Sequence, residues 1–176
     1  MIAKEKGLEP LAALLMLQKI QKPLEEEAQK YISAEKEVHT VEEAIAGAKD
    51  ILAETVSDEA DYRSFIRNLT VKEGKMTSSA KDDSVQSVYE MYYSFEEPVS
   101  RLAGHRILAL NRGEKEKILN VKIEAPEEKI LRYLEKKIIV SENPYTSEYL
   151  KEVAEDSYKR LIAPAIEREI RSGLTE

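Results

Sequence analysis

The stretch from Arg101 to Ile123, RLAGHRILALNRGEKEKILNVKI, constrains the fold most, because its apolar pattern changes period within it. From Pro98 to Asn111 apolar residues recur at helical spacing, which predicts a helix with one buried face. After the polar run GEKEK, apolar and polar residues alternate, which predicts a strand at 118–123. Gly113 stands between the two patterns, where a left-handed helix cap is expected, with Arg112 in the last helical turn.

Helical periodicity covers most of the remaining chain. Apolar spacing and start signals such as Thr40 with Glu43, a capping box, predict helices over 7–20, from 23, and over 41–55, 58–72, 84–95, 126–138 and 146–171. Pro164 is expected to kink the last helix, whose predicted seam includes Ser157, Leu161 and Ala165. The predicted fold class is mostly α: a multi-helix bundle with a helix-turn-helix-like part, a long C-terminal helix and at most one short two-stranded β element.

Residues 73–83 are the best loop candidate, rich in Lys, Ser, Asp and Gly. Part of this segment, 75–79, is compatible with an extended conformation. Because a lone strand is unstable, pairing between 75–79 and 118–123 is one possibility, which the sequence alone leaves open.

Composition excludes several classes of protein. The chain of 176 residues has no cysteine, so disulfide frameworks, thiolate chemistry and zinc ribbons are excluded. No apolar run approaches the roughly 20 residues of a membrane span, so we predict no membrane partner. We predict a cytoplasmic location. The net charge of -7 argues against a nucleic-acid footprint over the whole surface, so any such contact must be local.

Catalytic and metal-binding patterns are missing from the sequence. His39 and His105 are the only histidines and do not stand at ligand spacing. No serine lies on a strand-to-helix elbow, and isolated glycines such as Gly104 do not form a phosphate-binding loop. We therefore predict no enzymatic activity, no cofactor and no metal.

A basic island interrupts this acidic chain over residues 101–122. It contains six cations against two acids, namely Arg101, Arg106, Arg112, Lys115, Lys117 and Lys122 against Glu114 and Glu116. One interpretation is contact with nucleic-acid phosphates. The other is pairing within the molecule, because residues 1–60 hold thirteen acids and seven basic residues.

An aromatic cluster precedes the island: Tyr89, Tyr92, Tyr93 and Phe95. Aromatic rings beside basic charge stack on nucleobases in many single-strand-binding proteins. Here the local charge is acidic and the spacing is near helical, so packing in the core is the better interpretation.

Four longer strings resemble the bacterial Tex family of transcription accessory proteins. They are GLEPLA at 7–12, TVEEAIAGAKDILAE at 40–54, SVYEMYYSFEEPVSRLAGHRILALNRGEKEKIL at 87–119 and EDSYKRLIAPAIEREIR at 155–171. The resemblance extends over essentially the whole chain. It covers the helical region before the family's YqgF domain, so we expect a fragment of a longer protein.

The resemblance implies a function for the parent protein and a narrower one for this chain. Family members carry helix-hairpin-helix modules and a C-terminal S1 domain that binds nucleic acid, which implies RNA or single-stranded nucleic acid as partner, mainly through domains outside this chain. For this chain we predict a monomeric, non-catalytic scaffold with an auxiliary phosphate-contacting patch at the island. The alternative is a protein-docking module that contacts the transcription machinery through acidic helices or the aromatic cluster.

The resemblance also implies three regions in this chain. Residues 1–22 form a helix that packs on an upstream part outside the chain. Residues 23–83 form a helix-turn-helix-like subdomain, whose second helix mixes Arg63 and Arg67 with acids. Residues 84–176 form a second helical subdomain that ends in a long helix leading to a YqgF-like domain.

Overall fold

A computed structural model describes residues 2–175, which are mostly helical with one small antiparallel sheet. The predicted mostly-α class is therefore confirmed. The helices are α1 Glu9–Leu17, α2 Leu24–Ala28, α3 Val41–Ser57, α4 Ala60–Glu73, α5 Gly104–Lys115, α6 Glu127–Ile138, α7 Ser147–Asp156 and α8 Ala163–Thr175. The strands are β1 Lys75–Ala80, β2 Ser94–Pro98 and β3 Leu119–Glu124. Within the described range, no helix combines the length and apolar character needed to cross a bilayer.

Two compact units make up the described chain, and the first comprises residues 2–62 and 131–163. Helix α3 is central in this unit and packs against α1, α2 and α7. Its buried side chains follow the helical period: Ala44, Ile45, Ala48, Ile51, Leu52, Ala53 and Val56. The helical period of the sequence also predicts a buried Thr55, but Thr55 is exposed and the buried face continues through Val56 instead.

The predicted N-cap of α3 is confirmed, whereas the reciprocal bond of the capping box goes to the residue before the cap. The Thr40 hydroxyl accepts a hydrogen bond from the Glu43 backbone N–H at 3.1 Å. The Glu43 carboxylate accepts one from the His39 N–H at 2.7 Å. The first contact satisfies a backbone donor that a helix start otherwise leaves to solvent, and the second joins Glu43 to the residue before the cap.

The second unit comprises residues 63–130 and 164–175 and contains the sheet, in the order β2-β1-β3. The β1–β3 pairing, left open by the sequence, is present, with Ser78 opposite Val121. A third strand, β2, pairs with the other edge of β1, so the sheet has three strands where the sequence predicts at most two. One face carries a core of Met76, Tyr89, Tyr92, Leu110, Leu119 and Val121.

The helix predicted over 84–95 is wrong. This segment forms a loop, a short 3-10 turn over Glu90–Tyr92 and then β2. Tyr92 is nevertheless buried, with its ring 5.2 Å from that of Phe95, so the prediction of core packing for the aromatic cluster is supported by geometry. The Tyr92 carbonyl accepts from the buried Ser78 hydroxyl at 2.6 Å, which ties the loop to β1.

The helix predicted from Pro98 to Asn111 begins later and ends later than expected. Pro98 closes β2, a 3-10 turn covers Val99–Arg101, and α5 runs over Gly104–Lys115. The Val99 N–H donates to the Gly74 carbonyl at 3.1 Å, which holds the end of β2 beside the start of β1. Pro98, which local periodicity assigns to the helix, therefore lies in a strand that pairs with β1.

The long C-terminal helix is confirmed, but its middle is not α-helical. Ser157–Ile162 forms a π-helical segment between α7 and α8, in which the Ala163 N–H donates to the Tyr158 carbonyl. A π turn holds more residues than an α turn, so the buried face advances by one residue. The predicted seam positions Leu161 and Ala165 are accordingly replaced by the buried Ile162 and Ile166.

Helical spacing over 58–72 also predicts a buried Phe65, and both this prediction and the predicted length of α1 are wrong. In α4, Phe65 is 41 % exposed, and the buried residues are Ile66 and Thr70. Helix α1 is shorter than the predicted 7–20, because Gln18 has a φ of 58° and ends it in the left-handed region. The Gln18 side chain is buried and binds the backbone of a distant segment, which fixes this conformation.

Candidate nucleic-acid interface

Helix α5 and the turn after it hold most of the predicted basic island. The extended Ala103 precedes α5, and its carbonyl accepts from the Arg106 and Ile107 N–H groups at 3.1 and 3.2 Å. Ile107, Leu110 and Gly113 form the buried side of the helix. The exposed sides of α5 carry charged residues such as Arg112 and Lys115.

The end of α5 is closed by a Schellman motif. The Ile118 N–H donates to the Gly113 carbonyl at 2.9 Å, and the Lys117 N–H donates to the Glu114 carbonyl at 3.0 Å. Lys117 occupies the left-handed position of the motif with a φ of 62°. Glycine is the usual residue there, because a Cβ costs roughly 1–2 kcal/mol in this conformation.

The prediction that Gly113 forms the left-handed cap is wrong. Gly113 lies inside α5 and is buried against Leu119. A Cβ at position 113 would lie 2.4 Å from Leu119 Cδ1 and 2.8 Å from Leu119 Cγ, so glycine is needed for the close approach of helix and strand. Both roles select glycine, and the sequence alone does not distinguish them.

Replacing Lys117 with glycine is expected to raise the free energy of unfolding by about 1 kcal/mol, because glycine removes the strain of the left-handed backbone. Urea denaturation measures the change. Lys117→Ala is the matched control, since it removes the same charge but keeps a Cβ. Equal stability of the two variants would contradict the expected gain.

Arg106 is held by neighbours in its own unit. Its Nε lies 3.8 Å from Glu97 Oε2, and its guanidinium lies 5.4 Å from the centre of the Phe95 ring. Glu97 Oε2 is buried and accepts no hydrogen bond from residues 2–175. Arg106 therefore places positive charge beside a half-buried carboxylate, and it is poorly placed for phosphate contact.

Arg112, Lys115 and Lys117 are exposed at the end of α5, and we call them the basic turn. The two acids between them are engaged within the unit. Both carboxylate oxygens of Glu114 accept from Arg171, at 2.9 and 2.7 Å.

Glu116 accepts a hydrogen bond from the Tyr89 hydroxyl. This bond raises the pKa of the Tyr89 hydroxyl, which therefore remains a donor at neutral pH. In the part of the chain that the structure describes, none of the basic-turn side chains forms a hydrogen bond or an ion pair within its unit. The basic turn thus presents three cations to solvent.

Arg101 and Lys122 lie apart from the basic turn. Arg101 is exposed in the 3-10 turn that precedes α5. Lys122 is exposed on β3 opposite Thr77, on the sheet face that α5 does not cover. Thr77 is in turn paired with Glu96, so this face has mixed charge. The island therefore does not form one continuous basic surface.

Sequence reasoning missed two arginines of α8 beside the island. Arg171 binds Glu114 and also donates to Asn111 Oδ1 at 2.8 Å. Arg168 lies one helical turn before it and is exposed. Their spacing of three residues puts them on one helix face, and this could be read from the sequence. Their position beside α5 could not, because no local pattern relates α8 to a helix more than 50 residues earlier.

The structure offers no alternative chemistry at this position. Within residues 2–175, no group of three or more His, Cys, Asp and Glu side chains is placed to bind a metal ion. The candidate site contains exposed cations beside the carboxylates of Glu114 and Glu116, and cations of this kind contact nucleic-acid phosphates.

Comparison with known proteins gives a family match over most of the chain. Residues 19–176 match the family model described as Tex central region-like. The chain is 53% identical to the uncharacterized protein YdcI of Bacillus subtilis over 99% of its own length and 25% of that protein. It is 34% identical to protein tex of Bordetella pertussis over 69% of its own length and 16% of that protein.

A human relative is also similar. The chain is 29% identical to S1 RNA-binding domain-containing protein 1 of Homo sapiens over 98% of its own length and 18% of that protein. The chain thus spans between about a sixth and a quarter of the length of the relatives it matches.

Proposed function

The chain belongs to the Tex family, and we propose that it is a non-catalytic helical scaffold of a transcription accessory protein. It positions the domains that follow it and contacts nucleic-acid phosphates through the basic turn. One relative is named transcriptional accessory protein Tex, and another is named for an S1 RNA-binding domain, which supports this direction.

The observation that carries the phosphate contact is the charge at the end of α5. Three exposed cations remain there, while Glu114 is bound by Arg171 and Glu116 by Tyr89. Because Arg171 balances Glu114, a phosphate that approaches this turn meets three cations and the single remaining carboxylate of Glu116. Backbone contacts of this kind fix the position of a nucleic acid without reading its sequence.

The competing explanation is that Arg112 and Lys115 only stabilise the helix end. Cations in the last turn do interact with the helix macrodipole, which is equivalent to about half a negative charge at that end. Half a charge does not balance three cations. Lys117 also occupies a position that glycine fills at lower cost, which favours a role for its side chain.

A protein-docking role is less well supported. Tyr89 and Tyr92 are 5 % and 4 % exposed, so these two aromatic rings are part of the core and offer little surface to a partner. The acidic helices keep this alternative testable, because docking through acids would not depend on the basic turn.

The remaining parts of the proposal concern the parent protein. We propose that RNA or single-stranded nucleic acid binds mainly through domains outside this chain, and that 1–22, 23–83 and 84–176 act as three functional regions. The chain by itself is proposed to be monomeric and non-enzymatic. Its cytoplasmic location and pairing of the island with the acids of 1–60 stay predictions.

The experiment measures binding of a labelled single-stranded RNA to the 176-residue chain at several salt concentrations. Replacing Arg112, Lys115 and Lys117 with alanine is expected to reduce the slope of log affinity against log salt by about 2, because each lost single-strand phosphate contact contributes about 0.7. Fluorescence anisotropy gives both affinity and slope.

The matched control replaces Lys19, Lys36 and Lys136 with alanine, which are exposed lysines of the other unit. Both variants lower the net charge by the same amount, so a general charge effect changes both slopes equally. Equal slopes in the two variants, or no binding by the parent chain, would overturn the proposed contact.

A further inference from the structure

We propose that a groove beside the basic turn, formed by α5 and α8, binds a backbone phosphate of single-stranded nucleic acid. The inference rests on the proposed function and extends it to residues that the family resemblance does not single out. The groove has a volume of about 440 Å³ and is lined by Asn111, Arg168, Arg171, Ser172 and Thr175.

One wall of the groove is fixed by hydrogen bonds within the unit. The Arg171 guanidinium donates to Glu114 and to Asn111 Oδ1. The Asn111 amide donates to the Thr175 hydroxyl at 3.1 Å, and that hydroxyl donates to the Arg171 carbonyl at 2.8 Å. Because these bonds form a closed set, Arg171 is oriented before any ligand binds.

Two donors on the same wall remain available. Arg168 and Ser172 are exposed and lie one helical turn apart, so their side chains point from the same face of α8. Neither side chain forms a hydrogen bond or an ion pair with another residue of 2–175. A guanidinium beside a hydroxyl matches a phosphate, which accepts charged and neutral hydrogen bonds together.

The lining charge favours an anion. No aspartate or glutamate side chain is among the lining residues, and Glu114, which binds the lining residue Arg171, has both oxygens occupied by it. The groove is open rather than enclosed, which suits a strand that passes through it better than a free nucleotide.

Asn111, the lining residue of the groove on α5, lies close in sequence to the basic turn. Lys115 lies one turn after Asn111 on the same face of α5, a rise of about 6 Å along the helix axis. One phosphate in the groove and the next at Lys115 would therefore follow a single strand. This arrangement makes the groove and the basic turn parts of one track.

The test compares Arg168→Ala with Arg67→Ala, which removes another exposed arginine of the same unit. With a 12-nucleotide single-stranded RNA, Arg168→Ala is expected to weaken binding about fivefold at low salt and to reduce the salt slope by about 0.7. Arg168→Lys should restore most of the slope because it keeps the charge. Arg67→Ala should change neither.

Nuclear magnetic resonance locates the contact independently. Addition of the RNA to the 15N-labelled chain should shift the amide signals of Arg168, Ser172 and Thr175. Shifts confined to 112–118, or equal effects of Arg168→Ala and Arg67→Ala, would overturn the groove.

The two proposals fail differently. A flattened slope in the Arg112, Lys115 and Lys117 variant with an unchanged slope in Arg168→Ala would reject the groove and keep the basic turn. The reverse result would keep the groove and reject the basic turn. Absence of binding by the parent chain would reject both.

Discussion

Replacing Gln18 with alanine is expected to lower the free energy of unfolding by about 3 kcal/mol, because one buried backbone carbonyl and two partly buried N–H groups lose their partner at once. Gln18 is 3 % exposed. Its amide nitrogen donates to the Ile138 carbonyl at 2.8 Å, and its carbonyl oxygen accepts from the Val140 and Ser141 N–H groups at 3.0 and 3.2 Å. Each group left unsatisfied costs about 1–3 kcal/mol.

Urea denaturation of Gln18→Ala against Gln21→Ala measures this effect. Gln21 is exposed, so its replacement should change stability by no more than about 0.5 kcal/mol. The difference isolates the buried amide from general effects of the substitution. Similar midpoints for both variants would mean that solvent reaches the 138–141 backbone and replaces the lost bonds.

Replacing Gly74 with alanine is expected to cost about 3 kcal/mol, because the added Cβ meets backbone atoms that cannot rotate away. The Cβ would lie 2.3 Å from the Thr70 carbonyl oxygen and 3.2 Å from the Glu124 carbonyl oxygen. Gly74 joins α4 to β1, and Glu124 ends β3, so relief of the clash has to displace the sheet. Thermal or urea unfolding measures the loss.

Gly173→Ala is the matched control for Gly74→Ala. Gly173 lies in α8 with open space around its Cβ position, so alanine should stabilise the helix by about 0.5–1 kcal/mol. The two substitutions add the same methyl group and are expected to differ in sign. Destabilisation of similar size in both would show that the space around the glycine does not decide the outcome.

The helices were predictable wherever a capping residue and a regular apolar period agreed. Thr40 marks the start of α3, and its hydroxyl accepts from the Glu43 N–H as the sequence pattern requires. The segment 84–95 failed because Tyr89 and Tyr92 have the spacing of a helix face, whereas their burial arises from a 3-10 turn above the sheet. The partner of β2 is β1, and pairing between separate segments is not encoded in a local period.

The candidate site was predictable in part for the same reason. Arg112, Lys115 and Lys117 stand out as charge within one short segment. The contact between Arg106 and Glu97 depends on the position of β2. It could not be predicted, because the sequence pattern assigns a helix to 98–111 and no strand to 94–98. The bond between Arg171 and Glu114 spans 57 residues of sequence, so no local signal reports it.

The Schellman motif at the end of α5 also affects how much conformational entropy the chain loses when a ligand binds there. The hydrogen bonds of the Lys117 and Ile118 amides set the backbone of the turn as the chain folds. A ligand then immobilises side chains only, at about 0.5–1.5 kcal/mol for each, without the larger entropy loss of ordering a loop. If the proposed phosphate contacts form, a few of them are therefore enough for weak, rapidly reversible attachment.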